Sequence, residues 1–492
     1  MSSSTIVVAL DIGTSSVRAI AFDNAANPLF ESQIKYMQRT SHDGGVETDP
    51  DELVSISVSC LAALLRKLGA SRSRISGLGI SCFWHSLIGV GADNRAITPV
   101  YSWADTRAAG QIPRLRELFE SSSYHEQTGC ELHPCFWPAK LLWLRSEQRD
   151  LFDRVSRWMG FGEYLLAQLF GVCRSSLSMA SGTGLFNQIC ANWDPSILDS
   201  LNIDRSALLD LEDTSPLTGL SDEYNHRLPA LANVPWLAAV GDGACSNIGS
   251  GGVDERRMVL NVGTSAAIRV VAHADMQSKF PITDGLFCYR VDNESVIVGG
   301  AFANGGNVYA WLKDQFRWRD DAAFLRSMSR IKADSHGLTV LPFWSGERSP
   351  GWHSDARASI LGMNLHTSSA DIVRASLEAC AYTFDQVRVK LFDRFPKVTE
   401  IVISGGAIAN DPLFAQIVCD VFGMPLKTSR VAEASSRGAA IIALHGLGEI
   451  RRLSDIQCPT GRILRPNAEH HSAYLEGSSR YLSHYRQLIG PA

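Results

Sequence analysis

The chain has 492 residues, which is well beyond the size at which single hydrophobic cores stop growing, so we expect two large domains with a groove between them. Hydrophobic residues make up 45% and charged residues 20% of the chain, which excludes the composition of a disordered protein. The 46 Lys and Arg against 51 Asp and Glu give a net charge of -5, which lacks the basic excess that nucleic-acid binding needs.

The start of the chain and its cysteines indicate the compartment. Residues 1–5 lack a basic segment, and the apolar run that follows stops at Asp11. No segment is expected to reach the ~18–20 apolar residues that span a membrane. The 11 cysteines show no C-x-x-C pair and no metal spacing, so they are interpreted as reduced thiols. We expect a cytoplasmic protein without a membrane partner.

The first predicted element is a β-hairpin over residues 6–22. Two apolar runs flank a polar turn that contains Gly13, Thr14 and Ser15. Glycine removes the side chain that would block a close approach, so the backbone N–H groups and both hydroxyls of this turn can face a phosphate. An ordinary hairpin turn is the alternative interpretation of this segment on its own.

A helix follows, for which Asp49 and Pro50 supply the start and Gly69 the end. The apolar residues between them, from Leu53 to Leu65, recur at helical spacing and predict one buried face. This helix and the hairpin before it indicate an α/β arrangement of layers.

Two segments at the ends of predicted strands combine aromatic and polar side chains. The first contains Trp84 and His85, and the second contains Trp103, Asp105 and Arg107. Indole faces stack on the C–H face of a sugar, while His, Asp and Arg bind several hydroxyls at once, so both segments are predicted to line a sugar pocket. Core packing of the tryptophans and an internally bonded histidine are the alternatives.

Asp242 lies between two glycines, directly after the apolar stretch 234–240. A carboxylate at a strand end with no bulky neighbour is open to a ligand and suits a general base, although a turn aspartate is the alternative. More glycines follow at 249–252, and we interpret this region as the hinge and domain boundary. The predicted domains are residues 1–248 and 249–492.

The second half repeats the first hairpin over residues 258–271. Asn261 takes the place of Asp11, and the turn Gly263-Thr264-Ser265 repeats Gly13-Thr14-Ser15. One such turn in each half indicates two related domains that hold one polyphosphate from opposite sides.

Two further helix starts are predicted in the second half. Ser368 and Asp371 have the spacing of a capping box. Later, a strand runs into a loop with Gly405 and Gly406, and another helix begins after Asn410. Bare backbone between a strand and a helix lets a flat base or sugar approach, so we predict a nucleotide there, with a plain tight turn as the alternative.

These motifs together resemble the FGGY carbohydrate kinases over essentially the whole chain. The two hairpin turns are similar to the family's phosphate loops, residues 241–243 to its catalytic-aspartate motif and residues 404–410 to its adenosine motif. Residues 358–378 are similar to its C-terminal signature in residue types and spacing. The resemblance implies an α/β fold of two duplicated actin-like ATPase (ribonuclease H-like) domains around a central cleft.

Within the family, several segments are similar to those of bacterial gluconate kinases, namely residues 83–86, 103–107, 137–143, 181–184 and 299–307. This similarity implies ATP-dependent phosphorylation of a sugar acid, with D-gluconate converted to 6-phosphogluconate. ATP and Mg²⁺ are the implied cofactors, and a homodimer is left open as the assembly.

The resemblance also implies a role for each candidate residue. Asp242 is expected to accept the proton of the sugar hydroxyl, and Asp11 to hold magnesium. A substrate carboxylate requires a cation, for which Arg107 and Arg290 are candidates. The nucleotide is expected on Gly13, Thr14, Ser15, Arg18, Gly263, Thr264, Ser265, Gly405, Gly406 and Asn410, and the sugar on Trp84, His85, Trp103, Asp105, Arg107 and Asp242.

Three other functions stay open at this point. A kinase of the same family acting on xylulose, glycerol or a deoxy-sugar would differ only in its pocket residues. A sugar-binding regulator of the same fold would release no ADP with any sugar. An actin-like or chaperone ATPase acting on protein partners would show no sugar-dependent turnover.

Overall fold

The computed structural model describes residues 5–212, 215–274, 280–318 and 321–490. Its strands are β1 (Ile6–Ile12), β2 (Ser16–Phe22), β3 (Pro28–Lys35), β4 (Arg39–Thr40), β5 (Val46–Thr48), β6 (Ile75–Cys82), β7 (Ile88–Val90), β8 (Val100–Tyr101), β9 (Arg157–Met159), β10 (Arg174–Ser175), β11 (Phe186–Asn187), β12 (Asn192–Trp193), β13 (Asp210–Leu211), β14 (Trp236–Gly241), β15 (Arg257–Val262), β16 (Ala266–His273), β17 (Phe287–Arg290), β18 (Ser295–Phe302), β19 (Thr339–Leu341), β20 (Ser359–Leu361), β21 (Glu400–Ser404), β22 (Leu426–Ser429) and β23 (Thr460–Leu464).

The helices of the described ranges are α1 (Pro50–Leu68), α2 (Ile112–Leu118), α3 (Ser121–Thr128), α4 (Trp137–Glu147), α5 (Arg149–Phe152), α6 (Phe161–Phe170), α7 (Leu177–Ser181), α8 (Pro195–Leu201), α9 (Asp222–Arg227), α10 (Asp242–Gly249), α11 (Gly306–Phe316), α12 (Asp321–Arg330), α13 (Ser369–Arg394), α14 (Gly406–Ala409), α15 (Pro412–Phe422), α16 (Ala434–Gly446) and α17 (Ala468–Leu488).

The first large sheet has the strand order β14-β6-β1-β2-β3. β1 and β2 form the predicted antiparallel hairpin, in which Asp11 lies opposite Arg18, and β3 continues it. β6 and β14 add to the other side in parallel. The apolar residues of β1 are buried, as expected for a strand covered on both faces. The carboxyl ends of β1, β6 and β14 therefore meet at one edge, where the candidate residues follow.

The second large sheet repeats this topology. Its strand order is β17-β18-β16-β15-β21-β22-β23. β15 pairs antiparallel with β16 and parallel with β21, as β1 does with β2 and β6, and β22 continues in parallel as β14 does. β17 and β23 are additions at the two edges. Each sheet has its own hydrophobic cluster, and the duplicated α/β architecture is confirmed.

The predicted long helices form with their predicted caps. In α1 the Asp49 carboxylate accepts a hydrogen bond from the N–H of Glu52 at 2.9 Å, and Gly69 follows the last turn at a φ of 54°. α13 begins with a capping box in which Ser368 and Asp371 satisfy each other's backbone N–H groups. These local signals were sufficient because each cap acts within one turn.

One segment of the described ranges, Pro50–Arg74, is long and apolar enough by composition to cross a membrane, contrary to the expectation from the sequence. Half of its most apolar window is buried in the protein, and α1 packs on β2 and β3. Its apolar face is thus used as one side of a hydrophobic core.

The first part of the glycine-rich region 241–252, which the sequence led us to interpret as a hinge, forms a helix. α10 covers residues 242–249, residues 250–252 follow it outside the helix, and α10 packs closely against α16 from the second half. A Cβ at Gly249 would overlap the carbonyl of Ala434, and a Cβ at Gly438 would overlap the carbonyl of Cys245. Gly249 and Gly438 therefore allow the two helix backbones to touch. α16 also buries part of its length in the core of the first sheet, although it lies in the predicted domain 249–492.

Candidate active site

A cavity of about 190 Å³ lies between the two halves. It is lined by side chains that follow β6 and β14 in the first half and by the turn between β15 and β16 in the second. The structure brings six predicted residues together here, namely Thr14, Trp84, His85, Trp103, Asp242 and Ser265. The other lining residues are Gly243, Ser246, Asn261, Ala266, Ala267, Arg269, Phe287, Tyr289, Ala301, Arg348 and Ser435.

Asp242 is the first residue of α10, directly after β14. The N–H of Gly243 donates to its carboxylate at 2.7 Å. Burial raises the pKa of Asp242 to about 6, while the nearby Arg269 favours the charged form and so limits the rise. Among the described residues that line the cavity, Asp242 is the one carboxylate.

The glycines beside Asp242 make room for an aromatic ring. A Cβ at Gly241 would overlap the indole of Trp84, and a Cβ at Gly243 would crowd both Trp84 and Arg269. The indole is also held by a hydrogen bond, because its N–H donates to the carbonyl of Ser178 at 2.8 Å. Glycine at these positions therefore brings an aromatic wall against the carboxylate.

The two phosphate-loop candidates are both tight turns, and their closing backbone hydrogen bonds differ by one residue. The N–H of Gly13 donates to the carbonyl of Ser16 at 3.0 Å, and the N–H of Gly263 donates to that of Ser265 at 2.9 Å. A Cβ on Gly13 would meet nothing closer than 3.4 Å, and one on Gly263 nothing closer than 3.9 Å. Both turns thus keep open space beside their glycine, as a close approach by a phosphate requires. Ser15 and Thr264 are exposed beside them.

Asp11 lies at the end of β1, next to the first turn. Its carboxylate accepts from the hydroxyl of Ser81 at 2.7 Å and from that of Ser436 at 3.4 Å, so both halves of the chain contact it. Burial raises its pKa, while Ser81 and Arg18 lower it. A carboxylate among hydroxyl oxygens offers the hard oxygen ligands that Mg²⁺ prefers, so these residues fit that ion. Arg18 itself pairs with Glu433 at 3.3 Å.

His85 and Trp84 form an aromatic corner with Tyr289. The ring centroids of Trp84 and Tyr289 are 5.0 Å apart, and those of His85 and Tyr289 are 5.5 Å apart. The Nδ1 of His85 lies 2.5 Å from the carbonyl of Gly182. Burial, with Arg348 nearby, holds the pKa of His85 well below its usual value, so this imidazole is neutral at pH 7.

Asp105 and Arg107 do not line the cavity, which corrects the expectation for the sugar pocket. Asp105 is buried and accepts from the N–H of Val46 at 3.0 Å and from Arg107. Arg107 also pairs with Glu47 at 2.8 Å and lies over the ring of Trp143. Both side chains, which lie in the segment that follows Trp103, are thus bound by protein groups, and neither charge is left for a ligand.

Arg290 does not supply a cation to the cavity either. Its side chain is fully buried and donates to the carbonyls of Ala274 at 2.7 Å and Gln188 at 3.2 Å. The arginines that do line the cavity, Arg269 on β16 and Arg348 after β19, were missed. For Arg269 a signal was present in the sequence, because it is a single charge inside an otherwise apolar strand four residues after Ser265.

The adenosine-motif candidates lie outside this cavity, at the end of β21. Gly405 has a φ of 96°, and a Cβ there would overlap the carbonyl of Val262, so this glycine lets β21 and β15 end side by side. A Cβ on Gly406 would meet only Asn410, at 3.8 Å, which leaves open backbone. Ser404 joins the loop to the cavity by accepting from the Asn261 amide at 3.0 Å.

Comparison with known proteins identifies the family. A model described as the FGGY family of carbohydrate kinases, N-terminal domain, matches residues 6–249, and the C-terminal domain model of the same family matches residues 258–447. The gluconokinase of Bacillus subtilis (strain 168) is 26% identical over 481 residues, which cover 93% of this chain and 91% of that protein.

Two solved structures have the same fold over nearly the whole chain. The gluconate kinase from Lactobacillus acidophilus matches with a TM-score of 0.91 and 25% identity over 99% of this chain and 98% of that chain. The ligand-bound xylulose kinase from Lactobacillus acidophilus matches with a TM-score of 0.91 and 26% identity over 98% of each chain. The chain therefore belongs to the FGGY family of carbohydrate kinases, and it is a phosphotransferase that uses ATP to phosphorylate a sugar hydroxyl.

Proposed function

We propose that this kinase phosphorylates a sugar acid, converting D-gluconate and ATP to 6-phosphogluconate and ADP. The observation on which the chemistry rests is the position of Asp242, the one carboxylate among the described cavity residues, in a cavity that Thr14 and Ser265 of the two glycine turns also line. A base and two phosphate-binding turns around one cavity are what phosphoryl transfer to a bound hydroxyl requires.

In the reaction, the terminal hydroxyl of the sugar acid faces Asp242. Its oxygen attacks the γ-phosphorus of ATP, the bond to the β-phosphate oxygen breaks, ADP leaves, and the hydroxyl proton passes to the carboxylate. With a pKa of about 6, Asp242 is largely ionised at pH 7 and still basic enough to take a proton.

The glycine turns position the phosphates. Open backbone at Gly13 and Gly263 lets phosphate oxygens approach the N–H groups, and Thr14, Ser15, Thr264 and Ser265 add hydroxyl donors. The loop of Gly405, Gly406 and Asn410 receives the adenosine. Asp11 would hold Mg²⁺, which neutralises negative charge on the phosphates when it is bound.

The similarity to two kinases named for gluconate supports the choice of substrate. A xylulose kinase is the second candidate, because a solved xylulose kinase has an equal TM-score of 0.91 and 26% identity. The phosphate turns and Asp242 would serve either substrate in the same way. The two candidates therefore differ only in the part of the substrate that occupies the remainder of the cavity.

A substrate panel tests the proposal. Purified protein is supplied with ATP, Mg²⁺ and D-gluconate, D-xylulose, glycerol or another sugar acid, and ADP release is measured. We expect the highest kcat/KM with D-gluconate. Preference for xylulose or glycerol would contradict the sugar-acid assignment and leave the kinase chemistry intact, whereas no ADP with any sugar would indicate a sugar-binding regulator.

A further inference from the structure

Two arginines in the cavity lack a partner of opposite charge that binds them directly. Arg269 and Arg348 both line the cavity, and the guanidinium group of neither has a hydrogen bond or ion pair to another residue that the structure describes. The Nε atom of each is buried and has no hydrogen-bond acceptor. Buried guanidinium groups are normally paired, because an unpaired one loses its hydration without compensation.

The charge balance of the cavity favours an anionic ligand. Two guanidinium groups face one carboxylate, that of Asp242, among the described lining residues. Burial lowers the pKa of Arg269 to about 10, which leaves this group charged at neutral pH. The cavity therefore has an excess of positive charge before a ligand enters, and a bound anion would remove that excess.

The position of Arg348 is fixed by aromatic rings. Its guanidinium carbon lies 5.7 Å from the ring centroid of Trp103 and 5.4 Å from that of Trp352. Stacking of this kind holds the plane of the group and leaves its N–H edge available for a bidentate contact. The hydroxyl of Tyr289, which is also buried without a hydrogen-bond partner, adds a further donor at the cavity wall.

We propose that Arg269 and Arg348 bind the carboxylate of the sugar acid and thereby select an anionic substrate over a neutral polyol. This inference rests on the proposed function and assigns the charge recognition to residues of the same cavity. A carboxylate accepts two parallel N–H bonds from a guanidinium group, which a neutral hydroxymethyl group cannot do. In this arrangement one cavity holds both ends of the sugar acid, with the carboxylate at the arginines and the terminal hydroxyl at Asp242.

A different role for these arginines is to hold the phosphoryl group during transfer. Arg269 lies close enough to Asp242 to affect its pKa, so this alternative has a physical basis. The two roles predict different kinetics. A contact with the phosphoryl group serves every substrate equally, whereas a contact with the carboxylate serves only sugar acids.

The test compares D-gluconate with D-glucitol, which has the same carbon chain and hydroxyls but a neutral CH₂OH in place of the carboxylate. The ratio of kcat/KM for the two is measured in the wild type and in the Arg269→Gln, Arg348→Gln and corresponding Lys variants. We expect each Gln variant to lower the ratio roughly 10-fold to 100-fold, the value of a charge-assisted hydrogen bond, with partial recovery for Lys. Arg114→Gln, at an exposed arginine paired with Glu117, is the matched control and should leave the ratio unchanged.

Equal losses for both substrates, with an unchanged ratio, would assign the arginines to the phosphoryl group and overturn the inference. A wild-type enzyme that uses D-glucitol as well as D-gluconate would also overturn it, although the protein would still be a kinase. Calorimetry without ATP tests recognition independently of turnover. Loss of gluconate binding in the folded Gln variants supports the inference. Absence of gluconate binding to the wild type contradicts it, whether or not the enzyme shows turnover.

Discussion

Asp242 is a carboxylate held in a place where its charge is disfavoured by burial and only partly compensated by Arg269. The neighbouring glycines carry no side chain, and this leaves the space that the Trp84 ring occupies beside the carboxylate. An ionised group with few protein partners remains available to a substrate proton, which is the property a general base needs.

Replacement of this carboxylate should remove activity while leaving nucleotide binding in place. In Asp242→Asn the amide cannot accept the hydroxyl proton, so we expect kcat to fall by about 10²–10⁴-fold, the usual contribution of a positioned base. ADP release and ATP binding are measured on the same preparation. Near-normal turnover of the variant would show that another group takes the proton.

The pH dependence of kcat/KM should follow the ionisation of the same carboxylate. The pKa of Asp242 is raised to about 6, and only the ionised form accepts a proton, so activity should fall as the pH drops through about 6, by about tenfold per unit below it. The profile is measured between pH 5 and 8, with a check that the protein stays folded at pH 5. A flat profile across pH 6 would contradict the assigned pKa or the role of the group.

Buried Lys140 on α4 joins the two segments that form the aromatic wall of the cavity. Its ammonium group donates to the carbonyl of His85 at 2.9 Å and to that of Ser102 at 2.8 Å. His85 has a φ of 66°, which is unusual for a residue other than glycine and is maintained by such contacts. One side chain of a helix therefore sets the distance between two loops.

Loss of this lysine should affect sugar binding more than catalysis. Lys140→Met keeps the length of the side chain but leaves two buried carbonyls without a donor, so the loops should shift. We expect KM for the sugar to rise about tenfold or more, equivalent to ~1.4 kcal/mol, with a smaller change in kcat. Lys397→Met, at a side chain that is 75% exposed, is the control. A larger effect on kcat than on KM would contradict a positioning role.

At the scale of the whole molecule, the two repeats meet through a pair of equivalent helices, α10 and α16, which touch each other. Each follows the last strand of its repeat, β14 or β22, and each places a glycine against a carbonyl of the other. Asp242 begins one of them and Ser435, in the first turn of the other, also lines the cavity. The contact between the helices therefore sets the spacing of the two halves around the site.

A single methyl group at this contact should destabilise the protein. In a free helix Gly→Ala is favourable by up to about 1 kcal/mol, but at Gly438 the added Cβ would overlap the Cys245 carbonyl and separate the helices. We expect a cost of about 1–3 kcal/mol and a fall in Tm of several degrees, measured by thermal unfolding. Gly110→Ala, where a Cβ would meet no atom within 4 Å, should leave Tm unchanged. An equal effect in both variants would argue against the close helix contact.

Features set by short segments could be predicted from the sequence. The hairpin at residues 11–16, its repeat at 261–266 and the caps at Asp49 and Ser368 depend on a few neighbouring residues, and each formed as expected. The repeat of the motif also indicated the duplicated topology, because equal turns imply equal strand pairs around them.

Features set by long-range packing could not be predicted. Arg107 has a suitable position beside Trp103, but the distant Glu47 binds its charge, and Arg290 is bonded to two carbonyls from other segments. Arg348 reaches the cavity only because its loop folds back onto Trp103. The glycines at 241–249 indicated flexibility. Their role in a helix contact could not be predicted, because the helix that packs against them is separated from them by almost two hundred residues.

The pair Asp11 and Asn261 differs by one ionisable group at equivalent places in two similar repeats. Two identical turns would present a polyphosphate with a nearly symmetric cradle, in which the chain of phosphates could lie in either direction. In the proposed function, a carboxylate that would hold Mg²⁺ beside one turn and an amide beside the other make these directions unequal. Under that proposal, the difference between a carboxylate and an amide at equivalent places gives the pair of turns a direction, which acts together with the adenosine loop at Gly405 and Gly406 to present the γ-phosphate to the sugar.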